Sequence, residues 1–474
     1  TTIGKTQPLW HVPPSQGRPI LPVHCDMSQN ITDLSRKLDK GTLMSADLVR
    51  DALDRIADPK GQGDLAFLRT YADAAMAQAE WTDAGRARGL ALPRHAGVPL
   101  AIKDLFDVKG EVTRAGSRVL DAQPAAEADA TIVQRLRAAG FVIIGKNNMT
   151  EFAYSGLGIN AHFGTPRNPH DRVTDRIPGG SSSGAAVAVA EGMVPAAIGT
   201  DTGGSCRIPA ALSGVVGFKP TSTRVSKDGT VPLSKSLDCI GPLATSVSCC
   251  AVLDSVLSGG AGDDVEPVPE GGLRLAVLEG YVTEHVDDEV GAAFQKMLAR
   301  LSGRGVRLMP LTISELAELP QINGKGGLVG AEAYSWHKPF LENRAEFYDP
   351  WVLERFSAGR SQTADDYIRV IEARARMRGL FARRTQVFDA VILPAVQIVA
   401  PAMDSLRDPA RSAATNLLCL RNTAVGNFLD LPAISIPCQD DGALPVGAML
   451  MGRTGEDRHL LSIARGLEGV IRGH

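Results

Sequence analysis

Two glycine-rich serine loops constrain this chain more than any other feature. Gly179-Gly-Ser-Ser-Ser-Gly184 and Gly203-Gly-Ser-Cys-Arg207 stand on either side of a single apolar stretch long enough for one helix and one strand. A flexible Gly/Ser linker separates domains. This pair is instead embedded between apolar elements, with Thr200-Asp-Thr202 adding polar groups just before the second loop. Glycine lets backbone approach backbone or ligand closely, so several N–H groups can converge on one point and hold an anion or a developing negative charge. A chain with this arrangement has to fold so that the two loops face one another.

The patterns around the loops alternate between helix and strand. Leu48, Val49, Leu53 and Ile56 recur at helical spacing and predict an amphipathic helix over 44–56, with Ser45 as its N-cap. Further helices are predicted over 73–83, 131–139, 185–190, 246–257 and 288–301, and residues 311–387 read as mostly helical. Apolar, β-favouring runs predict strands at 98–102, 141–144, 196–199, 273–278, 390–393, 433–436 and 446–450, with Lys103 at the end of the first. Such alternation implies an α/β fold: a single large domain with a central mixed β-sheet covered by helices on both faces. With 474 residues, 44% of them apolar, the chain can bury a sizeable core. Residues 1–30 are Pro-rich and aperiodic and read as an N-terminal arm, leaving 31–474 as the domain, since no linker splits it further.

Charge and cysteine usage narrow the partners. Fifty Lys and Arg against 53 Asp and Glu leave a net charge of −3, so no basic field exists to hold nucleic acid or an anionic bilayer. The most apolar region, 184–199, is interrupted by Glu191 and Pro195 and falls short of the ~20 residues of a membrane span. The seven cysteines are scattered, without a C-x-x-C pair or zinc spacing, and read as mostly buried thiols of a reducing cytosol. The first thirty residues lack a basic end followed by an apolar stretch, which agrees with a cytoplasmic chain.

Three familiar patterns occur among the glycines, and each fails on its context. Gly140-Phe-Val-Ile-Ile-Gly145-Lys146 has P-loop spacing, but Asn147 follows the lysine and the intervening residues read as a strand. Gly156-Leu-Gly158-Ile-Asn-Ala161 resembles a dinucleotide fingerprint, yet it runs into Pro166 instead of a helix. Gly180-Ser-Ser182-Ser-Gly184 fits the nucleophile elbow of an α/β-hydrolase esterase, but 172–178 makes a poor strand to precede Ser182.

The whole segment from Gly179 through Gly199-Thr-Asp-Thr-Gly-Gly-Ser-Cys-Arg-Ile-Pro-Ala210 resembles the signature of the amidase signature family. Gly97-Val-Pro-Leu-Ala-Ile-Lys103-Asp104, Gly145-Lys-Asn-Asn-Met-Thr-Glu-Phe152, Ser236-Leu-Asp238, Gly241-Pro242 and Leu431-Pro-Ala-Ile-Ser-Ile-Pro437 are similar to further blocks of that family in the same order. The signature core spans about 90–260, and about 270–385 reads as a variable insert for substrate handling. The resemblance implies a catalytic triad of Ser205 as nucleophile, Ser181 as the bridging serine after a cis peptide bond, and Lys103 as base. It also implies an oxyanion hole from the N–H groups of Thr202, Gly203, Gly204 and Ser205, crowded by any side chain at 203 or 204. The implied activity is hydrolysis of a linear amide, or of an amide-like carbamate or hydrazide, without metal or organic cofactor.

The residues make chemical sense of that expectation. A serine hydroxyl is a weak nucleophile until a neighbour takes its proton, and neither loop holds a histidine to do so. A lysine serves if burial lowers its pKa by more than about three units, roughly 4–5 kcal/mol. On a strand, Lys103 shares a face with Ala101 and Pro99 while Asp104 points away, which limits the carboxylate's hold on the ammonium. Asp201 and Arg207 flank the nucleophile and are expected to pair, with substrate contact as the other role open to them. Ser182 and Ser183 would either bond Lys103 or cap the following helix. Cys206 reads as a packed neighbour. Trp336, His337, Phe340 and Tyr348 would pack helices or line a pocket.

Other functions compete. The family also contains the glutaminase subunit of a tRNA-dependent amidotransferase, but the stretch after Phe152, Ala153-Tyr-Ser-Gly-Leu-Gly-Ile-Asn-Ala-His-Phe-Gly164, is more similar to stand-alone amidases. The Ser182 esterase would make one of His285, His337 or His459 indispensable. A non-catalytic anion-binding module would use both loops as nests. A small-molecule amide is the expected partner, and the resemblance allows a homodimer.

Overall fold

The computed structural model describes residues 29–473, so nearly all of the expected N-terminal arm lies outside the described residues. Asn30 N-caps the first helix, Ile31–Asp39, through its side chain. One mixed sheet of eleven strands organises the chain. In chain order the strands are β1 (Phe67–Thr70), β2 (Pro99–Lys103), β3 (Val142–Asn147), β4 (Ala196–Asp201), β5 (Val216–Lys219), β6 (Cys239–Ala244), β7 (Arg274–Glu279), β8 (Arg307–Thr312), β9 (Ala390–Pro394), β10 (Ala433–Pro437) and β11 (Gly447–Met451). They lie side by side as β1-β3-β2-β4-β6-β5-β10-β11-β9-β7-β8. The β3-β2-β4 and β9-β7-β8 neighbours are parallel, and the strands between them alternate in direction.

Period-two alternation divides the side chains between two cores. Along β9, Ala390 and Ile392 enter one cluster while Val391 and Leu393 enter the other. In β11, Ala448 and Leu450 are likewise separated from Met449 and Met451. Helices therefore cover both faces. Leu48, Val49 and Ala52 of Ser45–Ala57 and Leu460, Leu461 and Ala464 of Asp457–Arg472 pack on one. Val370, Met377 and Phe381 of Ala364–Thr385 pack on the other.

Within residues 270–385 the expected strand near 273–278 is β7, and β8, which is not among the expected strands, pairs with it to complete one end of the sheet. The expected helix over 44–56 is present, but Ser45 is its first helical residue rather than its cap. The Asp83 carboxylate receives the Ser45 and Ala46 N–H groups, freeing the Ser45 hydroxyl to donate to the Gly97 carbonyl. Among the described residues no helix is long and apolar enough to cross a membrane.

Candidate active site

The two loops meet because the helix Ser183–Ala190 carries the chain away from the first and β4 brings it back to the second, and the parallel pairing of β2 with β4 adds Lys103. Ala101 and Ile102 register with Ala197 and Ile198, which brings Lys103, the last residue of β2, alongside Gly199, two residues before the end of β4. The first loop leads into the buried helix Ser183–Ala190, and the second joins β4 to the helix Arg207–Ser213. Close approach demands glycine at 184, where a Cβ would lie 2.2 Å from the Ala66 carbonyl oxygen. The N–H of Ser182 donates to the Ser205 carbonyl at 3.3 Å, tying one loop to the other.

Lys103 is fully buried. Its Nζ donates to Ser181 Oγ at 2.7 Å and to Thr200 Oγ1 at 2.9 Å. Burial brings its pKa down to about 7, against the weaker pull of Cys206, Asp201 and Asp238 in the other direction. Asp104 turns away and approaches Lys146 at 3.7 Å. The Gly180–Ser181 peptide is cis, with the Gly180 N–H donating to the Gly156 carbonyl and the Ser181 carbonyl receiving the Thr150 N–H. Ser181 and Ser205 are both buried.

The second loop is gripped from three sides. Arg207 binds Asp201 through Nε and Nη2 at 3.0 and 2.9 Å, and Asn427 reaches the same carboxylate at 2.9 Å. Burial pushes the Asp201 carboxyl up, but the Arg207 guanidinium, with Lys219 and Asn427, outweighs it and holds the group down at about 2. Thr202 Oγ1 donates to Asp238 Oδ1 at 2.5 Å. Burial raises the Asp238 carboxyl to about 6, against its hydrogen bonds from Thr202, Ser234 and Leu233. Thr423 Oγ1 donates to the Gly203 carbonyl at 2.7 Å. At Gly204, φ is +138° and a Cβ would lie 2.1 Å from Thr423 Oγ1, so the position takes only glycine. At Gly203 the nearest obstacle to a Cβ is Leu420 at 3.2 Å, a softer restraint. The N–H groups of Thr202, Gly203, Gly204 and Ser205 have no protein acceptor among the described residues.

Other expectations sort themselves by contact. No strand precedes Ser182, whose hydroxyl donates to the Thr200 carbonyl at 3.4 Å. Neither Ser182 nor Ser183 bonds Lys103, and neither hydroxyl caps the helix Ser183–Ala190. Asp201 and Arg207 do pair. The Cys206 thiol packs against the Gly241 carbonyl at 3.5 Å. His285 and His459 are exposed. His337 lies stacked on Phe356 with ring centroids 3.7 Å apart, its Nδ1 hydrogen-bonded to the Tyr348 hydroxyl. Trp336 and Phe340 pack beside it, so this group is a packing cluster built around Phe152 and Phe356. Among the described residues no cluster of His, Cys, Asp or Glu is arranged to hold a metal ion.

A family profile described as Amidase matches residues 47–461. The chain belongs to the amidase signature family. Among curated members, it is 36% identical over 435 residues to AtzE, the 1-carboxybiuret hydrolase component of that name from Pseudomonas sp. strain ADP, covering 87% of this chain and 92% of that relative. It is 34% identical to the 2-amino-5-chloromuconic acid deaminase of Comamonas testosteroni, covering 80% and 82%. It is also 34% identical to a glutamyl-tRNA(Gln) amidotransferase subunit of Symbiobacterium thermophilum, covering 93% and 96%. Among solved structures, the peptide amidase of Stenotrophomonas maltophilia superposes with a TM-score of 0.80 at 27% identity, covering 95% and 98%. As an amidase signature protein, the chain is a hydrolase acting on carbon–nitrogen bonds.

Several residues of this amidase site carry no signal in the sequence. Thr200, just before the second loop, is visible only as a polar neighbour, whereas it is the second partner of Lys103. Thr423 and Asn427 reach the loop from 220 and 226 residues away. Asp238 lies in a recognisable block, yet nothing in its spacing indicates Thr202 as its partner.

Proposed function

We propose that the protein hydrolyses a small linear amide, or an amide-like carbamate or hydrazide, through an acyl-enzyme on Ser205, releasing ammonia or an amine. The observation that carries this reading is the environment of Lys103: a fully buried amine that bonds two hydroxyls and, among the described residues, no carboxylate. With its pKa brought to about 7 by burial, the amine is neutral in a substantial fraction of molecules at neutral pH. In that form the bond to Ser181 reverses, and Lys103 accepts the Ser181 proton.

Ser205 Oγ attacks the amide carbon while its proton passes to Ser181, whose own proton moves to Lys103. The negative charge developing on the carbonyl oxygen is received by the N–H groups of residues 202–205, for which no acceptor competes among the described residues. As the C–N bond breaks, Lys103 returns its proton through Ser181 to the leaving nitrogen. Water then attacks the acyl carbon, giving its proton to the same relay. The acid leaves, and Ser205 recovers its proton. No step calls on a metal or organic cofactor.

Peptide mapping after treatment with a serine-directed fluorophosphonate tests this. Labelling at Ser205 that collapses in Lys103→Ala is the expected result. Labelling at Ser182 regardless of Lys103, or no labelling, would overturn it. Labelling should also rise as pH passes upward through about 7, because the relay needs the neutral amine.

The similarity to a glutamyl-tRNA(Gln) amidotransferase component favours a second reading, a glutaminase within a complex. The 153–164 segment argues instead for a stand-alone enzyme acting on a small amide, alone or as a homodimer. A second polypeptide co-purifying with the native protein would favour the complex. A cytoplasmic setting agrees with the six cysteines among the described residues, all buried and unbridged.

A further inference from the structure

The relay does not use the bond between Thr202 and Asp238. Asp238 stands immediately before β6, and its carboxylate is held from behind by the N–H of Leu233 at 3.0 Å and the N–H of Ser234 at 3.0 and 3.1 Å. Those bonds staple a local turn and require nothing from the rest of the protein. The bond from Thr202 Oγ1 does more. It spans 36 residues and fastens that turn to the first residue of the loop whose N–H groups have no acceptor among the described residues. Water has little access to replace it, since Thr202 is 3% and Asp238 7% exposed.

A second carboxylate stands behind the first. Glu332, in the helix Gly327–Asn343 of the variable region, receives Ser234 Oγ at 2.8 Å, the Ser236 N–H at 2.9 Å and the Tyr367 hydroxyl at 2.8 Å. A continuous path of hydrogen bonds therefore runs from that helix through Ser234 and Asp238 to Thr202. Gly203 and Gly204 follow Thr202 directly, and two glycines in succession leave the loop dependent on its flanks for orientation.

On the reading that Ser205 is the nucleophile, we propose that Asp238 is a positioning residue. It fixes Thr202, and through Thr202 the N–H groups of residues 202–205, in the orientation that receives the oxyanion, with Glu332 steadying its turn. Preset donors are effective because no reorganisation is left for the moment of reaction. An aspartate suits the task because an ionised carboxylate only accepts, and Asp238 is surrounded by donors from Thr202, Leu233 and Ser234. An asparagine of the same shape would turn a donor toward one of them.

The test measures the maximal rate and the half-saturating concentration of fluorophosphonate labelling at Ser205 in the full chain. A misplacement of about 1 Å costs on the order of a hundredfold. Asp238→Asn and Thr202→Val are therefore each expected to slow the maximal rate about 30- to 100-fold, with half-saturation changed less than about threefold. Thr202→Ser, which keeps the hydroxyl, should recover most of the rate. Combining Asp238→Asn with Thr202→Val should add little to either alone, as expected for one shared interaction. Glu332→Gln should slow labelling about 3- to 10-fold. Variants that label as fast as a labelled parent, or single losses that multiply in the double variant, would overturn this proposal and leave Ser205 standing. A parent that does not label at Ser205 would remove both. Should Asp238→Asn fail to fold, Thr202→Val and Thr202→Ser carry the comparison.

Discussion

Two buried cations flank the second loop, and the protein treats them in opposite ways. Arg207, in the first turn of its helix, is met by a carboxylate with two hydrogen bonds to Asp201, plus Asn427 and the Met449 sulfur. Lys103, at the end of β2, hydrogen-bonds only the hydroxyls of Ser181 and Thr200 among the described residues. Arginine's planar fork suits a fixed carboxylate partner and stays charged there. A desolvated amine without an anion gives up its proton easily. One cation is held to brace a loop, and the other is left ready to exchange a proton.

That contrast can be broken from either end. Removing the exchanging cation has the largest effect: Lys103→Met should lower turnover by at least about a thousandfold while leaving the protein folded, checked by steady-state assay beside thermal unfolding. The same variant tests burial. The folded-state pKa of Lys103, about 7, lies below its ordinary 10.5, so between these values the unfolded chain binds a proton that the folded one does not. Wild-type stability therefore rises with pH across that window, by roughly 5 kcal/mol in total, and the Met variant lacks this rise. Its advantage in Tm should shrink as pH goes from 7 to 10.

Removing the bracing cation should act on stability first. Arg207→Met leaves Asp201 buried without its partner and should cost about 3–5 kcal/mol in urea unfolding, with part of the loss recovered by adding Asp201→Asn. The smallest effect is expected at Cys206, beside the proposed nucleophile Ser205. Burial pushes the Cys206 thiol well above its ordinary pKa, which leaves it unreactive. Cys206→Ala should keep turnover within about twofold and cost about 1 kcal/mol for the small cavity. Loss of activity in that variant would bring cysteine chemistry back into contention.

Periodicity reveals the compact apolar elements and misses those interrupted by glycine or proline, for physical reasons. Strands β2, β3, β4, β7, β9, β10 and β11 lie within a few residues of their predicted places because each is a compact apolar run. β5 is four residues long with Gly217 inside it, β6 contains Gly241 and Pro242, and β8 carries Pro310 with mostly exposed side chains. Residues of that kind lower strand propensity, and only neighbours already in the sheet make pairing favourable. Ser45, Ser182 and Ser183 fit the composition of helix caps, but a distant carboxylate and tight packing take over or displace that role.

The two loops were legible in the sequence alone, because glycine and serine in a given order act on the backbone within a few residues, and the ordered blocks of the family resemblance pointed to Lys103, Ser181 and Ser205. The partners of those groups were decided only by the tertiary structure. Parallel neighbours require long crossovers, so Thr200 meets Lys103 from 97 residues away, and the helix Thr423–Phe428 brings Thr423 to Gly203 from 220. A buried amine keeps or loses its proton according to what surrounds it in space, and no local pattern records those surroundings.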